Sequence, residues 1–145
     1  MTFALDLAKF AEKAGAMADQ AVGQIIASVA SEIDHRSPVG DATYWKSKPP
    51  KGYIGGHFRA NWQLGIGTLP HGVKAGVDMS GATLAGIIAE IPTEAAGKVY
   101  WLANNTPYAT RLEHGWSRQA PQGMVGLTAT KFQQIVRAAV ESVKS

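Results

Sequence analysis

The chain has no cysteine among its 145 residues. That excludes disulfides, thiolate metal sites and cysteine nucleophiles, and it leaves the redox compartment open. No run approaches the roughly 18 apolar residues needed to cross a bilayer. A secretory leader is not legible either. In the opening MTFALDLAKFAEK, Asp6, Lys9, Glu12 and Lys13 stand where an apolar targeting core would lie. A soluble protein made in the cytoplasm is the expectation.

Catalytic signatures are equally scarce. The four histidines, His35, His57, His71 and His114, never fall three to five residues apart. HExxH, the calcium loop, the phosphate-binding Gly-rich loop ending in Lys-Ser/Thr and the Gly-x-Ser-x-Gly elbow are all missing. Gly65 and Gly67 in QLGIG make only a fragment of a dinucleotide fingerprint, inside a predicted strand. Glu113, His114 and Ser117 suggest a hydrolase, but a triad needs the imidazole set between nucleophile and carboxylate, usually from separate elements. The reading is therefore no catalytic residue, no metal and no cofactor.

What is present is enough for one domain. Hydrophobic residues make up 46%, which a packed core requires, and the length suits a single unit over residues 1–145. Net charge is +3, but it is unevenly spread. Between His35 and Lys74, six cations (Arg36, Lys46, Lys48, Lys51, Arg59, Lys74) meet the single acid Asp41. Such a segment can face DNA, an acidic partner or water.

Phe3, Leu7, Phe10, Ala14, Met17, Ala21, Ile25, Val29 and Ile33 step by three and four. This predicts one helix from about Thr2 to Asp34, roughly 45 Å long. Part of it is available to another subunit, or it wraps its own sheet. Pro38 ends it. Residues 44–56, YWKSKPPKGYIGG, form a basic loop with Tyr44, Trp45 and Tyr53 among the lysines. Phe58, Ala60, Trp62, Leu64 and Ile66 alternate as a half-buried strand, and Val73–Asp78 reads as its hairpin partner. Ser80 is placed to cap a helix from Ala82 to Ile91, closed by Pro92. Lys98–Ala103 is apolar on both faces, as a central strand should be. Thr128 opens a last helix bearing Phe132, Ile135, Val136, Ala139, Val140 and Val143. The class is α+β: a long N-terminal helix and a C-terminal helix on a small antiparallel sheet, with a short helix between strands.

Two surfaces stand out. Lys46, Lys48, Lys51 and Arg59 are placed to neutralise phosphates without reading sequence, with the loop aromatics stacking. The segment Asn104–Met124 carries a turn, aromatics and special-backbone residues. Trp116 is the leading candidate there for an intersubunit anchor, and Trp62 and Trp101 are expected in the core.

Three pieces together resemble the tail-component (tail-completion) family of long-tailed bacteriophages. They are Ser37-Pro38-Val39-Gly40 after a long helix, and GHFRANWQLGIG (Gly56–Gly67) with its Gly-x-x-Arg-x-x-Trp entry. The third is the stretch holding Asn104-x-x-Pro107-Tyr108-Ala109, Leu112-Glu113-His114-Gly115 and Gln119-Ala120-Pro121-x-Gly123-Met124-Val125. The likeness covers nearly the whole chain. It departs after Val39, where the family passes into a short Asp-Thr-Gly turn and this chain inserts residues 44–56.

The resemblance implies a non-enzymatic virion protein at the neck or head-proximal tail end. It would form a ring of six, with twelve as the alternative, against connector, head-closure and tail tube proteins, with packaged DNA in the lumen. Closed rings need heterologous contacts, one patch meeting a different patch on the next copy. Pro107, Tyr108, Glu113, His114, Trp116, Gln119 and Pro121 are the candidates for them. The competing readings are a small sequence-nonspecific DNA-binding protein and a hydrolase.

Overall fold

The computed structural model describes residues 2–6, 16–38, 46, 48, 55–115 and 122–144. Its elements run β1 (Thr2–Asp6), α1 (Ala16–Arg36), a 3-10 turn (Arg59–Asn61), β2 (Trp62–Ile66), α2 (Ala82–Glu90), β3 (Val99–Asn104), α3 (Ala109–Glu113), α4 (Val125–Thr130) and α5 (Phe132–Lys144). The strand order is β1-β3-β2, with both pairs antiparallel. The mixed α+β class, the long helix near the N-terminus, the C-terminal helix and the short helix between strands are all as the sequence predicts.

The first correction concerns the opening residues. Thr2–Asp6 is a strand, with Thr2 opposite Ala103 and Asp6 opposite Val99, and α1 runs Ala16–Arg36; Leu7, Phe10 and Ala14 of the expected stripe lie outside the described residues. Five residues of TFALD fit a two-residue period as well as a helical one, and β3 offers a free edge that favours the strand. The buried stripe of α1 also sits slightly round from the predicted one. It comprises Ala18, Ala21, Val22, Ile25, Ile26, Val29, Ala30 and Ile33, while Met17 is 44% exposed. Fully burying each Val or Ile contributes about 1.5–3 kcal/mol. Ser37 Oγ then donates to the Ile33 carbonyl at 2.7 Å, answering an orphan acceptor in the last turn before Pro38.

α1 packs most extensively on α5, whose Phe132, Ile135, Val136 and Ala139 join the core. The same core takes Phe58 and Trp62 beside β2, Tyr100 and Leu102 from β3, and Tyr108, Leu112 and Met124 beyond it. β3 lies between the other two strands, as its apolar faces predict. Trp62 is buried and Trp101 half-buried. The Tyr100 hydroxyl donates to the Ala95 carbonyl at 2.6 Å. Burial, and then the charge of Asp19, raise its pKa, so it stays a donor.

The hairpin partner expected at Val73–Asp78 is not a strand. After β2 the chain folds back over Gly65, where a Cβ would collide with the Thr68 carbonyl oxygen and Pro70. Residues 67–79 therefore form a strap around the β2 edge. Side chains tie it down in place of a backbone ladder. Gln63 Nε2 donates to the Gly72 carbonyl at 3.0 Å, and Asn105 Nδ2 to the Pro70 and Gly72 carbonyls. Asn61 donates to the Lys74 carbonyl at 3.1 Å and accepts from the Lys74 N–H at 2.6 Å.

Two caps also differ from expectation. Ser80 does not cap α2; Asp78 does. Its carboxylate accepts the backbone N–H groups of Ser80, Gly81, Ala82 and Thr83. Thr128 lies inside α4, its hydroxyl bonded to the Met124 carbonyl at 2.8 Å.

Candidate functional site

The motif residues meet at one junction. Arg59 in the 3-10 turn reaches α1, where Nε and Nη2 bind the two Asp34 carboxylate oxygens at 2.9 and 2.7 Å. Trp62 Nε1 donates to Ser37 Oγ at 2.8 Å. Asn104 at the end of β3 donates to the Phe58 carbonyl at 2.8 Å and accepts from the Thr106 hydroxyl at 2.8 Å. The Phe58 ring stands edge-on to Trp62 at 5.8 Å and tilted to Tyr108 at 6.3 Å. Ser37, the Arg59/Trp62 pair and the Asn104/Tyr108 pair come from three distant motifs, and each closes a bond to another.

Two predicted contact residues are thereby corrected. Arg59 is not a free cation for phosphate. Its charge is matched internally by Asp34, and the hydrogen bond to Asp34, offset in part by burial, raises its pKa further. Tyr108 is only 3% exposed and serves the core.

A second junction joins α3 to α4. Glu113 Oε1 accepts from the backbone N–H of Met124 and Val125 at 2.8 and 2.9 Å, and Oε2 from Gly126 at 2.9 Å. Gly123 has φ +80°, and a Cβ there would strike the Glu113 carbonyl oxygen. Glu113 of Leu-Glu-His-Gly and the backbone of Gly123–Gly126 thus form the two halves of one clamp. Glu113, half-buried, spends both of its carboxylate oxygens on the backbone of its own chain.

Of the other candidates, Pro107 and His114 are exposed, and so are Lys46 and Lys48. Trp116, Gln119, Pro121 and Lys51 lie outside the described residues, as do Trp45, Tyr44, Tyr53 and Ser117. Among the described residues no three His, Asp or Glu side chains cluster as metal ligands. Nor, among them, is any helix long and apolar enough to cross a membrane.

The surface that sequence reasoning missed is the strap. Leu69, Val73, Val77 and Met79 are exposed along it, Met79 at 65% and Val77 at 54%. Ile66 on β2 and Ile88 on α2 are exposed as well. From Gly65 to Ala89 the only full charges are Lys74 and Asp78, and Asp78 is buried. That charge-poor run was the available signal. Scattered apolar residues on a surface are ordinary, whereas a contiguous set marks contact. A cleft of about 380 Å³ lies between residues 74–77, β2 and α2. On the other side of α2, a groove of about 860 Å³ runs between α1, the end of α2 and the end of α5.

Comparison with known proteins does not identify the chain: no family model, no curated protein and no solved structure matches it.

Proposed function

We propose that this chain is a structural virion protein of a long-tailed bacteriophage. It forms a ring at the head–tail junction or the head-proximal tail end, joining head to tail around the DNA channel. One observation carries this reading. The residues that give the sequence its resemblance (Ser37, Arg59, Trp62, Asn104, Glu113) bind one another or nearby backbone and hold a scaffold whose exposed strap is apolar and charge-poor. Side chains that fix shape, with an apolar surface left over, suit assembly. In this reading the partners are sister copies, six in the simplest ring and twelve in a connector-matched one, together with the connector, head-closure and tail tube proteins. No side chain performs covalent chemistry.

Mass measurement of the purified chain, alone and with its neighbours, tests the proposal. A closed oligomer is expected in at least one setting, and a strict monomer in both ends the reading. The exposure of Lys46 and Lys48 favours DNA in the lumen, or, as a second reading, a dedicated nonspecific DNA binder. A gel shift at physiological salt separates the two. The second reading requires an isolated subunit to shift; a ring component shifts weakly. Replacing Lys46, Lys48 and Lys51 with Glu should impair DNA retention and leave assembly intact.

A further inference from the structure

β2 is an edge strand of the described sheet. Just past its end, the Gly67 N–H donates to the Val99 carbonyl at 2.8 Å, and Ile66 stands opposite Tyr100. Bonding in an antiparallel pair alternates, so Gln63, Gly65 and Gly67 bond to β3, and the backbone groups of Leu64 and Ile66 face the outer side. Among the described residues, no backbone hydrogen bond joins that side to the strap. An open edge of this kind is a template for a further strand.

The strap already runs beside this edge in the register of a strand. The Asn61 side chain binds both backbone groups of Lys74, and the Gln63 side chain binds the carbonyl of Gly72. Two residues forward on one side match two residues back on the other, as in an antiparallel pair. The same register sets Trp62 opposite Val73, Leu64 opposite His71 and Ile66 opposite Leu69. It leaves Gly67-Thr68 as a two-residue loop. Gly67 has φ +76°, and a type II′ hairpin loop takes Gly at its first central position. Pro70 falls opposite Gly65, whose bonds go to β3, so the ladder asks for no N–H there. Opposed residues share a face, which brings the exposed Leu69 and Val73 beside Ile66 and Trp62.

We propose that strap residues 69–73 have a second seat, as a fourth strand on the outer edge of β2. In the seat seen here, Asn105 holds the carbonyls of Pro70 and Gly72, Gln63 shares the latter, and the Thr68 carbonyl lies over the bare Gly65. In the fourth strand the Pro70 and Gly72 carbonyls point away from β2, and the backbone groups of Leu69, His71 and Val73 point toward it. The two sets of bonds exclude one another, so the strap occupies one seat or the other. Gly72, at φ +85° here, is the residue that turns to extended backbone on closing. Closing covers the apolar Leu69 and Val73 and removes the open edge, while Val77 and Met79 lie beyond the paired segment. The strap is thus a closing device of the fold itself, and it does not depend on the ring reading.

Two variants of the full chain release the present seat. Gly72→Val disfavours its left-handed backbone, and Gln63→Ala with Asn105→Ala removes its side-chain holds. Amide exchange at Leu64 and His71, which bond each other only in the fourth strand, should slow at least tenfold in both variants. Because the chain has no cysteine, Leu64→Cys with His71→Cys then traps the pairing directly, as an intramolecular disulfide formed under mild oxidation. Slowed exchange together with the disulfide is the expected result. Unchanged exchange in either folded variant, or a cysteine pair that stays reduced, overturns the second seat. If one release variant unfolds, the other decides; if both unfold, the strap has a single seat that the fold requires, and the proposal fails. Protection at Leu64 that grows with protein concentration assigns the edge to another copy, and it too overturns the intramolecular strand.

Discussion

Two stretches adjacent in sequence, residues 56–62 and the strap at 67–79, are built in opposite ways. The first is rich in polar groups and turns them inward. Asn61 is fully buried, Arg59 grips Asp34, and Trp62 gives its indole N–H to Ser37. The second is rich in apolar groups and turns them outward at Val73, Val77 and Met79. In the sequence, Arg59 of the first stretch reads as a DNA-facing cation and Val73–Asp78 of the second as a hairpin strand. The comparison teaches that a conspicuous polar motif can be a fastening, while a bland charge-poor run can leave its apolar side chains on the surface. It also divides the expected effects of mutation: stability should respond at the first stretch and assembly at the second.

The largest stability loss is expected at Arg59→Met. Its partner Asp34 is 6% exposed and would be left as a buried carboxylate without its cation. Breaking such a pair costs about 3 kcal/mol, and replacing both partners by apolar side chains recovers most of it. Urea unfolding of Arg59→Met, and of Arg59→Met with Asp34→Leu, measures both. Equal midpoints for wild type and Arg59→Met would show that the junction does not hold the turn to α1.

Asp78 comes next. Burial pushes its carboxyl up, but the hydrogen bonds from Thr83, Gly81 and Ser80 outweigh that and bring it down to about 2. The folded value lies below the unfolded one, so the stabilisation is complete above about pH 4 and is lost as pH falls through about 2. The shift corresponds to about 2 kcal/mol. Asp78→Ala should cost about 2–3 kcal/mol at neutral pH, since it also leaves the first N–H groups of α2 unanswered. Its stability should then lack the step between pH 4 and pH 2 that is expected of the wild type in acid titration.

Glu113→Gln is expected to cost less, about 1–2 kcal/mol. An amide can still accept from Met124 and Val125 through its oxygen, but it presents an N–H₂ where Oε2 accepts from Gly126. Amide exchange should quicken at residues 124–126 first. If exchange there is unchanged, the clamp between the two halves of the segment is not holding α4.

These residues also mark where the sequence was legible. The double-faced apolar run at β3, the stop of α2 before Pro92 and the stripe of α5 are local patterns, and local patterns can be read in one dimension. The fastenings are not local. Asp34 and Arg59 are 25 residues apart, as are Ser37 and Trp62, and Glu113 reaches its nearest amide partner 11 residues on. Nothing within one window marks such a carboxylate as taken, so Arg59 and Glu113 read as free surface groups. Thr2–Asp6 reads as helix in the sequence because five residues cannot separate a period of two from one of 3.6. Val73–Asp78 reads as a strand because alternation predicts one without supplying a partner, whereas the fold-back over Gly65 carries this stretch round the sheet edge.

The smallest expected stability effect is the most discriminating one. Val77→Asp places a carboxylate on a side chain that is 54% exposed and adds no buried charge, so the separated subunit should change by less than about 0.5 kcal/mol. It nevertheless sets an acid into a strap whose own acid, Asp78, is buried, and into the same cleft that Lys74 lines. The change removes exposed apolar surface from the strap, so its expected effect falls on association rather than on stability. If the variant assembles like the wild type while Arg59→Met unfolds readily, stability does reside in the first stretch and assembly uses some other surface. If Val77→Asp costs as much stability as Arg59→Met, the contrast between the two stretches fails, because the strap would then belong to the packed interior of its own chain.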